Sequence, residues 1–582
     1  MNDHSSGLTN KTDNGIYALG LVPIVIGVTG HRDIPASDIE LLTIATRSAL
    51  TGIEQSSPHS PHIMLTSLAE GGDRIAAKVA IEMGWMVGVV LPAPVELYAL
   101  DFKTAESQAE FRDLLGKAAW VEALPAGSMT PTAYRAAGIH IARQSLYLLA
   151  LWDGDETVVE GGTADIVDLF RHGIPEERMA GAADNSLLEA RPVLHISTRR
   201  QGNPGAVAES EVGGLDWIAP EPEGTGSDGE LGRWVAVLRH IDQFNCDATE
   251  CLVRNGGDVT KSRGHLDAES DAGLPVQVRL AAALYAVADT ISTEAQARRR
   301  LHIKILFVLA MGAVLSEQVY SGPIPNPVFL VLAVASGIGA WLVYALGARL
   351  RLENRYLDYR ALAEACRVQY FWKRAGLNAC TADHFLRDQR DELEWIRRAV
   401  RTTELLPGDI VSSRAQMEHV AKAWLDGQLH YFIGMPGKDK GNKAEENRIK
   451  DETWAKRASV FFKAAIVVTI ILAISHIFYA AKLGETGDIA MQLMTLAYGM
   501  LLACAGLIKV YNEVEAFAQQ AKRYRRMGMA MAVARRRLNT TLEKNEMAEA
   551  ENVLLGAGRD ALEESGGWLL LHRDRPVRVP LG

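Results

Sequence analysis

The sequence predicts an α/β Rossmann-like cytosolic domain followed by an α-helical membrane region with four transmembrane helices in two hairpins. Two observations predict this fold class. Short apolar runs alternate with helix-like segments from residue 21 to about residue 200, which is typical of a parallel sheet covered by helices. Four longer apolar stretches follow, and each is long enough to cross a bilayer at about 1.5 Å of rise per residue.

The composition argues against several functions. The 582 residues include 61 Lys or Arg and 71 Asp or Glu, a net charge of −10, which argues against general nucleic-acid binding. The five cysteines form no Cys-x-x-Cys pair and the histidines are scattered, so we expect neither a disulfide framework nor a metal site. Residues 1–20 are polar and lack the apolar core of a cleavable signal, so we expect a disordered cytosolic tail.

Six strands are predicted in the first domain, and several are continuous apolar runs of the kind that helices cover on both faces. They are Val22–Val28, Ile63–Ser67, Met86–Leu91, Trp120–Ala123, Leu146–Trp152 and Val193–Ser197. Helices are predicted between them, at Ser37–Ile53, Gly72–Met83, Ala105–Lys117, Thr132–Gln144 and Thr163–His172. This alternation predicts an open, parallel sheet.

Ligands of such sheets bind at the carboxyl ends of the strands, where the strand order reverses. Three predicted strand ends carry glycines and polar side chains. Glycines let backbone N–H groups approach a phosphate, and a helix amino terminus favours an anion. Thr29 can donate a hydrogen bond, Arg32 can hold an anion, and Glu70 or Asp73 can accept from ribose hydroxyls.

The predicted ligand-binding residues are Gly27, Thr29, Gly30, His31, Arg32, Ser67, Glu70, Gly71, Gly72, Asp73, Trp152, Asp153, Gly161, Gly162 and Thr163. They predict a site for a nucleotide-derived small molecule. No catalytic residue and no firm cofactor is predicted. The spacing fits neither the dinucleotide pattern G-x-G-x-x-G nor a Walker loop, so it supports neither NAD-dependent oxidoreduction nor ATP hydrolysis.

The four apolar stretches form two predicted hairpins, because the turns between their members are short. The predicted spans are Leu301–Tyr320, Pro327–Leu346, Ala464–Ala481 and Ile489–Ile508. Arginines and lysines flank each hairpin, whereas the turns hold at most one basic residue, so both termini and the large segments are predicted to be cytoplasmic. Each hairpin precedes a charged helix. Either an internal duplication or two unrelated hairpins would give this arrangement.

The remaining segments complete a prediction of seven regions. They are a tail (1–20), the α/β domain (21–200), an irregular linker or cover (201–275), the first hairpin with flanking helices (276–377), a cytosolic helical insert (378–450), the second hairpin with a trailing basic helix (451–541), and a C-terminal tail (542–582).

Three motifs of the first domain, GVTGHRD (27–33), SLAEGGDRIAAKVA (67–80) and GGTAD (161–165), resemble the SLOG superfamily over about residues 20–200. The resemblance implies a Rossmann-like domain that binds nucleotide-derived signals. The hairpins resemble SLATT two-transmembrane effectors, and Trp424, Gln428 and Tyr431 fit a Trp…Gln…Tyr pattern of that family. Together they imply a bacterial inner-membrane protein of antiviral defence.

The hydrolytic branch of the SLOG superfamily carries P-G-G-x-G-T-x-x-E, with a catalytic Glu. Here Glu160 precedes the two glycines, and the position three after Thr163 is Ile166. This departure favours a sensor. The expected function is therefore a ligand-gated, pore-forming or membrane-disrupting effector, with the lipid bilayer, a nucleotide-like molecule and further copies of the chain as partners. A membrane-anchored nucleotide or nucleoside hydrolase and a non-enzymatic scaffold or transporter subunit are the alternatives.

Overall fold

A computed structural model describes residues 20–173, 189–220, 227–267, 273–322, 324–350, 352–385, 390–408, 411–434, 442–479 and 484–573. The chain forms two compact units. The first contains residues up to Ala288 together with Leu362–Val411, and the second contains Asp289–Ala361 and the residues from Ser412 onward. The predicted fold class is confirmed, with an N-terminal α/β domain followed by a helical region.

The sheet of the first unit has seven strands, six of them parallel. The strands are β1 (Ile24–Gly30), β2 (His62–Thr66), β3 (Met86–Leu91), β4 (Trp120–Ala123), β5 (Tyr147–Trp152), β6 (Val193–Ser197) and β7 (Leu215–Ile218). Their order is β4-β3-β2-β1-β5-β6-β7, and β7 runs antiparallel to β6. Because β1 pairs with β2 on one side and β5 on the other, the strand order reverses between β1 and β5.

The helices of the first unit cover both faces of this sheet's apolar strands. They are α1 (Ile39–Ser56), α2 (Gly72–Glu82), α3 (Val95–Ala99), α4 (Ala105–Lys117), α5 (Pro131–Gln144), α6 (Thr163–His172), α7 (Ser227–Arg254) and α8 (Thr260–Arg263). Thr104 and Thr130 cap α4 and α5 by accepting from backbone N–H groups of the first turn. β1 and β5 are almost fully buried, as their continuous apolar sequences predict.

The prediction of an irregular segment at 201–275 is wrong in two places. β7 extends the sheet, and α7 is 28 residues long. α7 is fixed to the sheet by its polar residue Asn245, which accepts from the N–H of Val22 at 2.8 Å and donates to its carbonyl at 2.8 Å. Trp234 and Phe244 are fully buried. The sequence predicts only a helical piece near Trp234–Phe244 here, and the polar composition of the rest concealed the full length of α7 and its place in the domain.

The second unit is helical. The helices that follow α8 are α9 (Val276–Ser321), α10 (Pro327–Arg349), α11 (Leu352–Arg374), α12 (Arg390–Arg401), α13 (Arg414–Val420), α14 (Gly427–Ile433), α15 (Lys443–Tyr479), α16 (Gly484–Glu515), α17 (Phe517–Glu543) and α18 (Met547–Arg573). Of these, α9 and α11 each contribute residues to both units, and α12 belongs to the first unit. A π-helical turn, Ala421–Asp426, joins α13 to α14.

Four helices of the described chain, α9, α10, α15 and α16, are long and apolar enough to cross a membrane. At most 6% of the residues in each apolar window are buried, so these windows are not core helices of a water-soluble fold. The four apolar helices indicate a membrane-embedded protein. Residue 323 of the first predicted turn lies outside the described residues. So do residues 480–483, which include the end of the third predicted span and the start of the second predicted turn.

Two further predictions need correction. Residues 547–573 form α18 instead of a tail. α18 packs on α17, and this contact buries Leu554 and Leu569 completely. Residues 378–408 are not a separate insert, since they belong to the first unit, where Leu405 and Leu406 join the core beneath the sheet. The predicted N-terminal tail lies outside the described residues, apart from Gly20.

Candidate functional site

A cavity of about 420 Å³ lies at the carboxyl edge of the sheet, where the strand order reverses. The connections after β1 and β5 leave the sheet in opposite directions, and this divergence opens a crevice in folds of this type. The lining comes from the ends of β1, β2 and β5 and the residues that follow them, from the amino termini of α2 and α6, from three residues of α5, and from single residues of α3 and the segment after β6. The sequence-based prediction of where the site lies therefore coincides with a real cavity.

The cavity brings together ten of the fifteen predicted residues. They are Thr29, Gly30, His31, Arg32, Ser67, Asp73, Asp153, Gly161, Gly162 and Thr163.

The other five, Gly27, Glu70, Gly71, Gly72 and Trp152, do not line it. A Cβ on Gly27 would lie 2.6 Å from Ser145 Oγ, so this glycine packs against the end of α5. The Glu70 carboxylate accepts from the Ser107 hydroxyl. Trp152 is buried with its ring centroid 5.6 Å from that of His195.

Gly71 and Gly72 join two loops to each other. Gly71 has φ of +77°, and Gly72 donates its N–H to the carbonyl oxygen of His31 at 3.0 Å. A Cβ on Gly72 would lie 2.9 Å from Cα of Gly30. The prediction that these two glycines expose donors to a phosphate is therefore wrong, because the connection after β1 occupies that space.

His31 and Asp153 form a buried pair. The His31 Nε2 atom lies 2.9 Å from Asp153 Oδ1 and 3.2 Å from the backbone N of Asp153. Burial lowers the pKa of His31, although Asp153 acts in the opposite direction, so the imidazole is neutral at pH 7. The side chain of Asp153 is fully buried, and its Oδ2 has no hydrogen-bond partner among the described residues. Asp153 therefore holds the His31 ring in place at the cavity wall.

Asp73 shapes the β2–α2 connection. Its carboxylate accepts from the Thr66 hydroxyl at 3.1 Å and from the backbone N–H groups of Ser67 and Ala69. Burial raises the pKa of Asp73 to about 6, because the low-dielectric interior disfavours the charged form. These contacts use most of its acceptor capacity, so they do not support the expectation that Asp73 binds ribose.

Two arginines of the lining are already paired with aspartates. Arg32 Nη1 lies 2.5 Å from Asp101 Oδ2, and its guanidinium carbon is 5.1 Å from the ring centroid of Tyr134. Arg200 Nε lies 3.0 Å from Asp33 Oδ1. Both arginine side chains are 39% exposed, so a ligand anion can share their guanidiniums with these carboxylates.

The amino terminus of α6 forms another wall. Gly161 has φ of +73° and donates its N–H to Asp165 Oδ2 at 2.9 Å, and Arg135 Nε lies 3.1 Å from the same oxygen. This carboxylate already offsets part of the positive helix end. Thr163 and Ala164 of the first turn line the cavity, where the remaining helix dipole favours an anionic group.

Sequence reasoning missed several lining residues, among them Asp33, Tyr98, Tyr134, Asp155 and Arg200. Arg200 follows β6 at the same edge of the sheet, and this position is a signal that could have found it. The two tyrosines come from α3 and α5, so only the tertiary fold reveals them.

The lining holds more carboxylates than cations. Asp33, Asp73, Asp153 and Asp155 face two guanidiniums and a neutral imidazole. Asp73 and Asp153 are buried. Asp33 and Asp155, by contrast, are partly or fully exposed and can accept hydrogen bonds from hydroxyl or amino groups. The α6 terminus and the shared guanidiniums remain for an anion. Within the described residues, no cluster of three or more His, Cys, Asp or Glu side chains could hold a metal ion.

Comparison with protein-family models gives no match for this chain, and comparison with curated proteins gives none either.

Proposed function

We propose that the chain is a ligand-controlled membrane effector. A nucleotide-derived small molecule binds the cavity of the first unit, and its binding controls the four apolar helices. The observation that carries this proposal is the cavity at the reversal of strand order, with ten predicted residues in its lining, in a chain that also carries four candidate membrane spans.

The volume and chemistry of the cavity support a small polar ligand. Small-molecule pockets span about 300–1,000 Å³, and this cavity falls within that range. Ribose hydroxyls match the excess of acceptors, and one phosphate matches the α6 terminus with Arg32 or Arg200. The resemblance to SLOG sensors and SLATT effectors supports the same reading. It implies a protein of the bacterial inner membrane in antiviral defence, and the basic residues that flank the hairpins favour cytoplasmic termini.

The effector part of the proposal is a pore or a disrupted bilayer formed by several copies. Four helices cannot enclose a wide channel, so a pore requires oligomers. A Cβ on Gly337 of α10 or on Gly506 of α16 would meet no atom within 4 Å. Such bare positions allow a helix of another copy to approach closely.

Dye release from liposomes that contain the full-length protein tests this function. ADP-ribose and cyclic nucleotides are the probes, and we expect one of them to trigger release. Thr163→Glu adds a negative charge to the cavity wall at a position that suits a helix amino terminus, so it should abolish the response without preventing membrane insertion.

Ala105→Glu is the matched control, because it adds the same charge to the exposed first turn of α4, outside the cavity. It should respond as the wild type does. Release that no probe triggers, or a Thr163→Glu protein that still responds, would refute the proposal. Turnover of ADP-ribose without dye release would instead indicate the membrane-anchored hydrolase.

A further inference from the structure

Exposed cations follow or precede the apolar stretches of three helices in the second unit. We name the group Arg300, Lys304, Arg349, Lys456, Arg457 and Lys463 the basic belt. A Cβ on Gly347 would contact the ring of His302, so the end of α10 lies level with the start of the α9 span. Basic residues therefore gather at one end of the first hairpin.

Contacts between aromatic rings place the second hairpin at the same level. The ring centroid of Tyr511 on α16 lies 5.1 Å from that of Trp454 on α15 and 6.1 Å from that of Phe307 on α9. The guanidinium of Arg457 lies 4.9 Å from the Trp454 ring centroid, and Arg300 is close enough to influence Tyr511 electrostatically. Trp and Tyr side chains at such a boundary mark the depth of lipid headgroups.

The belt cations have no carboxylate within 4.0 Å in the described part of the chain. Neighbouring cations are different. Arg299 lies 3.4 Å from Glu515, and Arg448 is paired with both Glu445 and Glu452. Arg32 and Arg200 of the first unit are paired as well. These six cations at the apolar boundary therefore lack a counter-ion among the described residues.

We propose that the basic belt binds the headgroups of anionic phospholipids, with Arg300 and Arg457 as central contacts beside the Trp454–Tyr511 pair. A phosphate of an anionic lipid supplies the missing counter-charge at the depth that the aromatic rings mark. A zwitterionic headgroup carries a positive charge that neutralises its own phosphate. The basic belt therefore binds anionic phospholipids in preference to zwitterionic ones. This inference rests on the membrane assignment and is independent of the cavity and its ligand.

Native mass spectrometry of the full-length protein in detergent, with equal amounts of phosphatidylglycerol and phosphatidylcholine, tests the inference. We expect the wild type to retain phosphatidylglycerol preferentially. Arg300→Gln with Arg457→Gln should reduce this preference, by about fivefold for each lost charge. Arg300→Lys with Arg457→Lys keeps the charges and should restore most of it.

Arg448→Gln is the matched control, because Arg448 is exposed on α15 but paired with two glutamates. It should retain the wild-type preference. Equal retention of the two lipids by the wild type, or an undiminished preference in the double Gln variant, would overturn the proposal. Competition by millimolar inorganic phosphate would also overturn it, because it would indicate a site for free phosphate.

Discussion

The carboxylate of Asp153 lies beneath His31 and has no exposed surface of its own. Its negative charge raises the pKa of His31 against the larger effect of burial. Asp153→Asn removes that charge, so we expect the pKa of His31 to fall further below its usual value. Histidine-selective ¹³C NMR of the full chain measures this pKa, with His31→Gln to assign the signal. An unchanged or higher pKa would show that the pair is not coupled in this way.

Asp73 gives a prediction for stability against pH. Its pKa of about 6 lies above the usual value of the unfolded chain, so between about pH 4 and pH 6 the folded state binds more protons. The contribution of Asp73 to the free energy of unfolding therefore falls as the pH rises through this window. We expect Asp73→Asn to gain about 1–3 kcal/mol relative to the wild type between pH 5 and pH 8.

The melting temperatures of both proteins at the two pH values measure this gain. Gly52→Ala is the control, because it changes no titratable group and its added methyl group meets no atom within 4 Å. Its difference from the wild type should be the same at both pH values. A relative gain for Asp73→Asn that shrinks as the pH rises would contradict the assigned direction.

At the scale of elements, the connection after β1 packs on the start of α2 without a side chain between them. Gly72→Ala places a methyl group 2.9 Å from the Gly30 backbone, which cannot rotate away. We expect a loss of about 1–3 kcal/mol in the free energy of unfolding. Gly52→Ala, in α1 with no atom within 4 Å of the added methyl group, should be neutral or stabilising by up to about 1 kcal/mol. Chemical denaturation of the two variants compares them.

The same glycines show what the sequence can and cannot predict. The pattern of apolar runs predicts β3, β4 and β6 to the residue. β3 is buried on both faces, as its continuous apolar run indicates, whereas β4 is a partly exposed edge strand that was found from its short apolar start. The pair Gly71-Gly72 indicates only that another group approaches the backbone closely at this point. Whether that group is a ligand or the connection after β1 depends on residues about 40 positions earlier in the chain. β7 was missed because a short, partly exposed edge strand has no continuous apolar run.

At the scale of the whole molecule, the first unit is discontinuous in sequence. The chain leaves it after Ala288 and re-enters it at Leu362, with the first hairpin in between. The long apolar stretches and the short turns between them predicted both hairpins, but they could not predict this return, because the partners of Leu405 and Leu406 lie more than 120 residues away along the chain. The position of the cavity was predictable because parallel strands end at one edge. The pairing of its arginines depends on loops whose course the sequence does not specify.

The discontinuity predicts that residues 20–288 do not fold alone. Leu405 and Leu406 are about 95% buried in the cluster that contains Val25 and Ile63, and removing a single buried leucine side chain costs about 2–5 kcal/mol. Polar contacts with residues 362–411 are also lost. Asp383 accepts from Arg143 at 3.1 Å, and the Leu406 carbonyl accepts from Gln277 at 2.8 Å. Since domains are stable by only about 5–15 kcal/mol, these losses should abolish cooperative unfolding.

Co-expression of residues 20–288 with residues 362–411 should restore a folded complex, because the second fragment supplies both the leucines and Asp383. Near-UV circular dichroism and thermal melts measure the outcome. A second fragment with Leu405→Asp and Leu406→Asp is the control and should fail, since two carboxylates cannot be buried beneath the sheet without partners. Cooperative melting of residues 20–288 by themselves would show that the α/β domain folds without residues 362–411.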